Sequence, residues 1–140
     1  MEIRLIKSSS DWSCQVSLRK EYDSNEKKLI RPEETKFGNI ITDPDDVEMA
    51  ARRAQKALLN PNCRPEDYFD WDFENISYEE DAAKNALKFT KNVVCLEIKG
   101  PNVPNLSLID LPGIIRKCYL IIISVTTKNI TNGQHYGIKK

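Results

Sequence analysis

The stretch Leu106-Ser107-Leu108-Ile109-Asp110-Leu111-Pro112-Gly113-Ile114 constrains the fold of this chain more than any other. An apolar, strand-forming run ends in an aspartate, and Pro112-Gly113 then turns the backbone. Proline removes an N–H and fixes φ, while glycine tolerates conformations closed to other residues, so the strand cannot continue past this point. The turn leaves a carboxylate at the strand end and a glycine N–H that no side chain shields. Taken alone, D-x-P-G is satisfied by any strand that ends in a turn.

The 140 residues are 40% hydrophobic, enough for one domain with a modest core. Lys+Arg and Asp+Glu balance at 21 each. A chain of zero formal charge has no global field to draw it to nucleic acid or to an anionic membrane. Cys14, Cys63, Cys95 and Cys118 are far apart in sequence, His135 is the single histidine, and no C-x-x-C occurs. That spacing argues against a zinc site. Cys14 and Cys95 fall on apolar strand faces and read as small buried hydrophobes in a reducing compartment. The N-terminus lacks the apolar core of a signal peptide, and the longest apolar run, Tyr119 to Ile123, is too short to span a bilayer. A cytoplasmic protein is expected.

Residues 2–7 alternate Ile3 and Leu5 against Glu2 and Arg4, and residues 12–19 alternate Trp12, Cys14, Val16 and Leu18. Two half-buried strands separated by a Ser-rich turn read as a hairpin. Residues 21–42 are polar and read as loop, with at most a short strand over 39–42. A helix is predicted from Asp43: the aspartate caps, Pro44 suits the first position, and Asp45 and Asp46 favour the positive end of the dipole. Val47, Ala50, Ala51, Ala54, Ala57 and Leu58 form its narrow apolar stripe, and Asn60-Pro61 ends it. Over 61–78, Tyr68, Phe69, Trp71, Phe73 and Tyr78 are interleaved with carboxylates. The favoured reading is a surface insertion whose rings cover a neighbouring helix; the other is an acidic, aromatic docking segment for a basic partner. A second helix is expected from Ser77 to about Phe89. Val93 to Lys99 and Leu106 to Ile109 read as strands, joined by the five-residue loop Gly100–Pro104 and most simply antiparallel neighbours. Tyr119 to Val125 reads as a last strand before a frayed polar tail.

The run from Phe89 to Arg116, ending in Leu106-Ser107-Leu108-Ile109-Asp110-Leu111-Pro112-Gly113-Ile114, resembles the approach to switch II in the GTPase domain of dynamin-family large GTPases, the Mx-like and fungal dynamin-like branch. Glu2-Ile3-Arg4-Leu5 with Trp12-Ser13-Cys14-Gln15-Val16-Ser17-Leu18-Arg19 is similar to the hairpin after switch I in the same family. The resemblance covers residues 1–116, with 61–78 as a divergent acidic, aromatic insertion, and leaves 117–140 as a divergent strand and tail. It implies an α/β fold, a mixed sheet with flanking helices, forming part of a P-loop GTPase domain. GTP and Mg²⁺ are the implied ligands. Carried over by position, Asp110 would hold Mg²⁺ through water, Gly113 would sense the γ-phosphate, and Leu111 and Pro112 would shape the switch II turn.

The other nucleotide motifs of that family are absent from the sequence. No G-x-x-x-x-G-K-[ST] occurs, so the P-loop strand and its nest of N–H groups are missing. The resemblance puts the switch I threonine ahead of Met1. Thr127-Lys128-Asn129-Ile130 imitates the base-reading motif, but isoleucine cannot accept hydrogen bonds from a guanine edge. Only Lys117 and Cys118 separate Arg116 from a strand that the family places after the switch II helix, so that helix reads as deleted. The expectation is a fragment of a dynamin-like GTP-binding protein whose parent hydrolyses GTP in membrane remodelling or self-assembly. Hydrolysis by this chain alone is not expected. Its expected associations are with itself or with dynamin-like proteins, with no nucleic acid and with membrane only through a full-length parent. Two other readings stand beside it: a non-catalytic interaction module that pairs with full-length relatives, and an unrelated small α+β domain.

Overall fold

A computed structural model describes residues 1–73 and 86–109. Five strands form one mixed sheet: β1 (Glu2–Lys7), β2 (Ser13–Tyr22), β3 (Lys28–Lys36), β4 (Val93–Gly100) and β5 (Leu106–Ile109), in the spatial order β3-β2-β4-β1-β5. One helix, α1 (Val47–Leu59), packs on one face. The described residues thus form an α/β layer with a helix on a single side, where flanking helices were expected.

The period-2 pattern sets which face each strand buries. Ile3 and Leu5 of β1, Cys14, Val16 and Leu18 of β2, and Val94, Leu96 and Ile98 of β4 share the α1 side and are buried. Helix α1 meets them with Val47, Ala51, Ala54, Ala57 and Leu58. Alanines at three of these five positions let the helix backbone lie close to the sheet. The start of the helix follows the capping logic: the Asp43 carboxylate accepts from the Asp45 N–H at 3.0 Å and opens a 3-10 turn, Pro44–Asp46, that runs into α1. Asn60 ends it, its side-chain amide donating to the Lys56 carbonyl at 2.9 Å.

The strand order departs from the simplest reading of the sequence. β1 and β2 do not form a hairpin; β4 lies between them, parallel to β1 and antiparallel to β2. β4 and β5 are not neighbours either, because β1 lies between them and pairs antiparallel with β5. A two-residue turn would force adjacency, but residues 8–12 and 101–105 are each long enough to step over one strand, roughly 10 Å. Both connections leave from the same end of the parallel β1/β4 pair and cross there, an arrangement uncommon in sheets. The crossing is pinned by the Ser8 N–H on the Gly100 carbonyl at 3.0 Å and the Lys7 N–H on Asn105 Oδ1 at 2.8 Å. Gly100 fits this approach, since a Cβ there would stand 3.2 Å from Val103 Cγ2 and 3.4 Å from Trp12 Cδ1.

Residues 28–36, expected as loop, form β3, a hairpin partner of β2. The turn is built by Asp23, whose Oδ1 accepts from the Asn25 and Lys27 N–H groups, with Glu26 at φ 58°. β3 is exposed on both faces, so no apolar alternation marks it in the sequence, and Pro32 is tolerated because the strand lies at the sheet edge. The predicted second helix falls mostly on 74–85, outside the described residues; its expected end, 86–89, is not helical, and the Leu87 N–H donates to the Leu59 carbonyl at 2.7 Å. The run Tyr119 to Val125 and the tail after it lie outside the described residues.

Candidate functional site

Asp110, Leu111, Pro112 and Gly113 lie outside the described residues, but the strand that leads to them does not. β5 begins after Asn105, whose side chain fixes it to Lys7, and ends at Ile109 opposite Glu2 of β1. It is a sheet edge among the described residues, and Ile109 is 83% exposed.

The face of the sheet turned away from α1 carries charge instead of apolar side chains. Glu2, Arg4, Ser17, Arg19 and Glu34 project from β1, β2 and β3 and meet over Cys95 of the intervening β4. Arg4 Nε donates to Glu2 Oε1 at 2.7 Å and Arg4 Nη2 to Glu34 Oε2 at 3.2 Å. Arg19 donates to Glu2 through Nη1 and to Glu34 Oε2 through Nε at 3.1 Å, and Ser17 Oγ donates to Glu34 Oε1 at 2.8 Å. Each such pair contributes about 0–1 kcal/mol where solvent reaches it. Their larger effect is on register, since a one-residue slip of any strand would carry its charge to the apolar face.

Cys95 therefore lies on the charged face, not on an apolar one as expected, and is buried beneath these side chains. Burial, reinforced by the Glu34 and Glu2 carboxylates, pushes its thiol up to about 12. Cys14, on the α1 side, is also pushed up to about 12, by burial first and Glu97 second. Both stay protonated near neutral pH, so neither supplies a thiolate nucleophile. Among the described residues no group of three or more His, Cys, Asp or Glu side chains could hold a metal ion, and no helix is long and apolar enough to cross a membrane.

The described rings of the acidic, aromatic segment, Tyr68, Phe69, Trp71 and Phe73, turn inward. Tyr68 is buried, Phe69 meets Phe37 edge-on at 4.9 Å, Arg52 stacks over Phe73 and Lys56 over Trp71, and Arg53 Nε donates to the Trp71 carbonyl at 2.9 Å. Of the aromatic residues in this segment, the described ones pack against α1 and Phe37, and Tyr78 lies outside the described residues. Glu66, Asp67, Asp70 and Asp72 stay exposed, and Asp70 lines a cavity of about 550 Å³ between residues 37–42, α1 and Phe69-Asp70. A second cleft of about 670 Å³ lies between the β2–β3 turn and residues 87–92. Sequence reasoning missed both the ion network and the cavity. Opposed charges at alternate positions of β1 and β2 hinted at the first; the second depends on tertiary approach.

The chain is similar to three curated proteins over part of its length. It is 31% identical over 97 residues to the interferon-induced GTP-binding protein Mx1 of Otaria byronia, covering 64% of this chain and 11% of the relative. The match to the Mx1 protein of Eumetopias jubatus has the same extent. The interferon-induced GTP-binding protein Mx of Dicentrarchus labrax is 32% identical over 80 residues, covering 57% of this chain and 9% of the relative. The chain thus spans about a tenth of the length of the curated relatives it matches. No family model matches the sequence, and no solved structure matches the fold.

Proposed function

We propose that this chain is a piece of a dynamin-like GTP-binding protein and carries one element of its nucleotide site. The observation that carries the reading is the 31% identity to Mx GTP-binding proteins over 97 residues, in a chain holding an uninterrupted strand-Asp-x-Pro-Gly at 106–113. The role assigned to Asp110 is to hold Mg²⁺ through water, and that of Gly113 is to meet the γ-phosphate with a backbone N–H; Leu111 and Pro112 shape the turn between them. The magnesium ion, when bound, would neutralise charge on the phosphates. The parent activity under this reading is GTP hydrolysis, which requires a phosphate cradle this sequence does not contain. The isolated chain is therefore assigned no turnover of its own.

Titration of the purified chain with a fluorescent GTP analogue, with and without Mg²⁺, tests the reading, with Asp110→Ala as the control. The expected result is no saturable binding to the chain alone, and Mg²⁺-dependent binding once a segment bearing G-x-x-x-x-G-K-[ST] from an Mx relative is supplied, lost in Asp110→Ala. A complemented chain whose binding is indifferent to Asp110→Ala would refute the assignment.

A further inference from the structure

The cavity beside α1 is a groove with a firm frame. Residues 37–42 are tied to β2 by a two-way bridge, the Cys14 N–H on the Ile41 carbonyl at 2.8 Å and the Ile41 N–H on the Cys14 carbonyl at 2.9 Å. Asp43 caps the helix that forms the second wall, and Arg53 ties the third wall to α1 through the Trp71 carbonyl. Its apolar lining includes Phe37, Phe69, Ile40 and Met49, of which Ile40 is 61% and Met49 37% exposed. Asp46 and Asp70 also line it, and among the described residues neither side chain has an ion pair or hydrogen bond. The flanking segments 38–50 and 65–73 hold eight carboxylates and no lysine or arginine, in a chain whose charges balance overall. The cations of α1 offset this only in part: Arg52 and Lys56 are stacked on Phe73 and Trp71, while Arg53 lines the groove and donates to the Trp71 carbonyl.

A complementary surface stands elsewhere on the same molecule. Ile30 of β3 is fully exposed, at 102%. Lys28 shares its strand face, Arg31 follows it, and Lys27 precedes both in the turn. Among the described residues no ion pair engages Lys27, Lys28 or Arg31. An isoleucine held out on an edge strand beside cations is the counterpart of a groove of mixed lining, in which Phe37, Ile40, Met49 and Phe69 stand beside the carboxylates of Asp46 and Asp70.

We propose that these two surfaces bind each other between copies of the chain, Ile30 of one copy entering the groove of the next, with Lys28 and Arg31 facing Asp46 and Asp70. The contact is heterologous, so it propagates head to tail unless the rotation closes a ring. It involves neither Asp110 nor a nucleotide. The area offered by one strand tip is small, so the association is weak, salt-sensitive and concentration-dependent.

Sedimentation velocity on the full chain, from micromolar to millimolar concentration, tests it with two charge-reversed variants. Asp46→Lys with Asp70→Lys disables the groove, and Lys28→Glu with Arg31→Glu disables the tip. Wild type is expected to show a rising average mass that falls back in high salt, and each variant is expected to remain monomeric. Mixed, the two variants are expected to associate and grow again, because the intact tip meets the intact groove and the reversed tip meets the reversed groove with the charges exchanged. Ile30→Ser, which preserves every charge, is expected to weaken association at least fivefold. A monomeric wild type over the whole range, a mixture that stays monomeric, or self-association that survives in either variant would each overturn the proposal.

Discussion

Ser17→Cys tests the least expected feature of the fold, the direct contact of β2 with β4. Ser17 and Cys95 are cross-strand partners on the charged face, both buried. Directly opposed residues of an antiparallel pair have Cα atoms about 4.5–5.5 Å apart, inside the window of about 4.4–6.8 Å that a disulfide requires. The new thiol should bond to Cys95. The bridge would close a loop of about 80 residues, which the chain-entropy relation converts to about 4.5 kcal/mol as an upper figure, with 2–4 kcal/mol typical. Replacing Ser17 also removes its hydrogen bond to Glu34, but oxidised and reduced samples share that loss, and it cancels in their difference. Because the Cys95 thiol is pushed up to about 12, oxidation should be run by refolding in a redox buffer, where the thiol is exposed. The measurement is urea unfolding followed by tryptophan fluorescence, oxidised against reduced, with the bridge located by peptide mapping. Free thiols at both positions after refolding, or a bridge from position 17 to Cys14 or Cys63 instead, would refute the β2–β4 register.

Two further outcomes follow from burial. Cys14 and Cys95 are raised from about 9 to about 12, so between those values the unfolded chain gives up protons that the folded chain keeps. Stability should thus be intact below pH 9 and fall as pH rises toward 12; Cys95→Ala should flatten that fall in urea midpoints measured from pH 8 to 11, and an unchanged slope would mean the thiol ionises in the fold. Leu96→Ala should cost about 3–4 kcal/mol by urea unfolding, because the alanines of α1 cannot reach into the gap, whereas Leu106→Ala at the half-exposed edge should cost under about 1 kcal/mol; equal costs would place β4 away from the sheet centre.

Local chemistry made much of this fold legible. Asp43-Pro44 marks a helix start, the small-residue stripe marks its buried face, and the alternation over 2–7 and 12–19 with the apolar run at 93–99 marks the inner strands. What escaped was everything decided by a neighbour. β3 is exposed on both faces, so burial leaves no period in its residues, and only its pairing with β2 makes it a strand. The strand order escaped because alternation shows which face a residue takes but not which strand lies beside it, and five-residue links are compatible with several orders. The candidate nucleotide residues were visible as the motif at 110–113 alone; the groove beside α1 was not, since Ile40, Met49, Asp46 and Asp70 come from three segments brought together by folding.

The strand directions bear on where nucleotide chemistry could be built. β1 and β4 are parallel and bring Lys7 and Gly100 to one end of the sheet, where open α/β folds ordinarily place ligands. Here that end is occupied by the chain itself: residues 8–12 and 101–105 cross over it, and Trp12 packs against Gly100. β5 runs the other way and ends at Ile109 beside Glu2, at the opposite end. Under the proposed function, a phosphate cradle serving the end of β5 would approach from the Glu2 side, next to the ion network and not over the crossing connections. The open edge of β5 is the natural place for such an added strand, because it pairs with nothing further among the described residues.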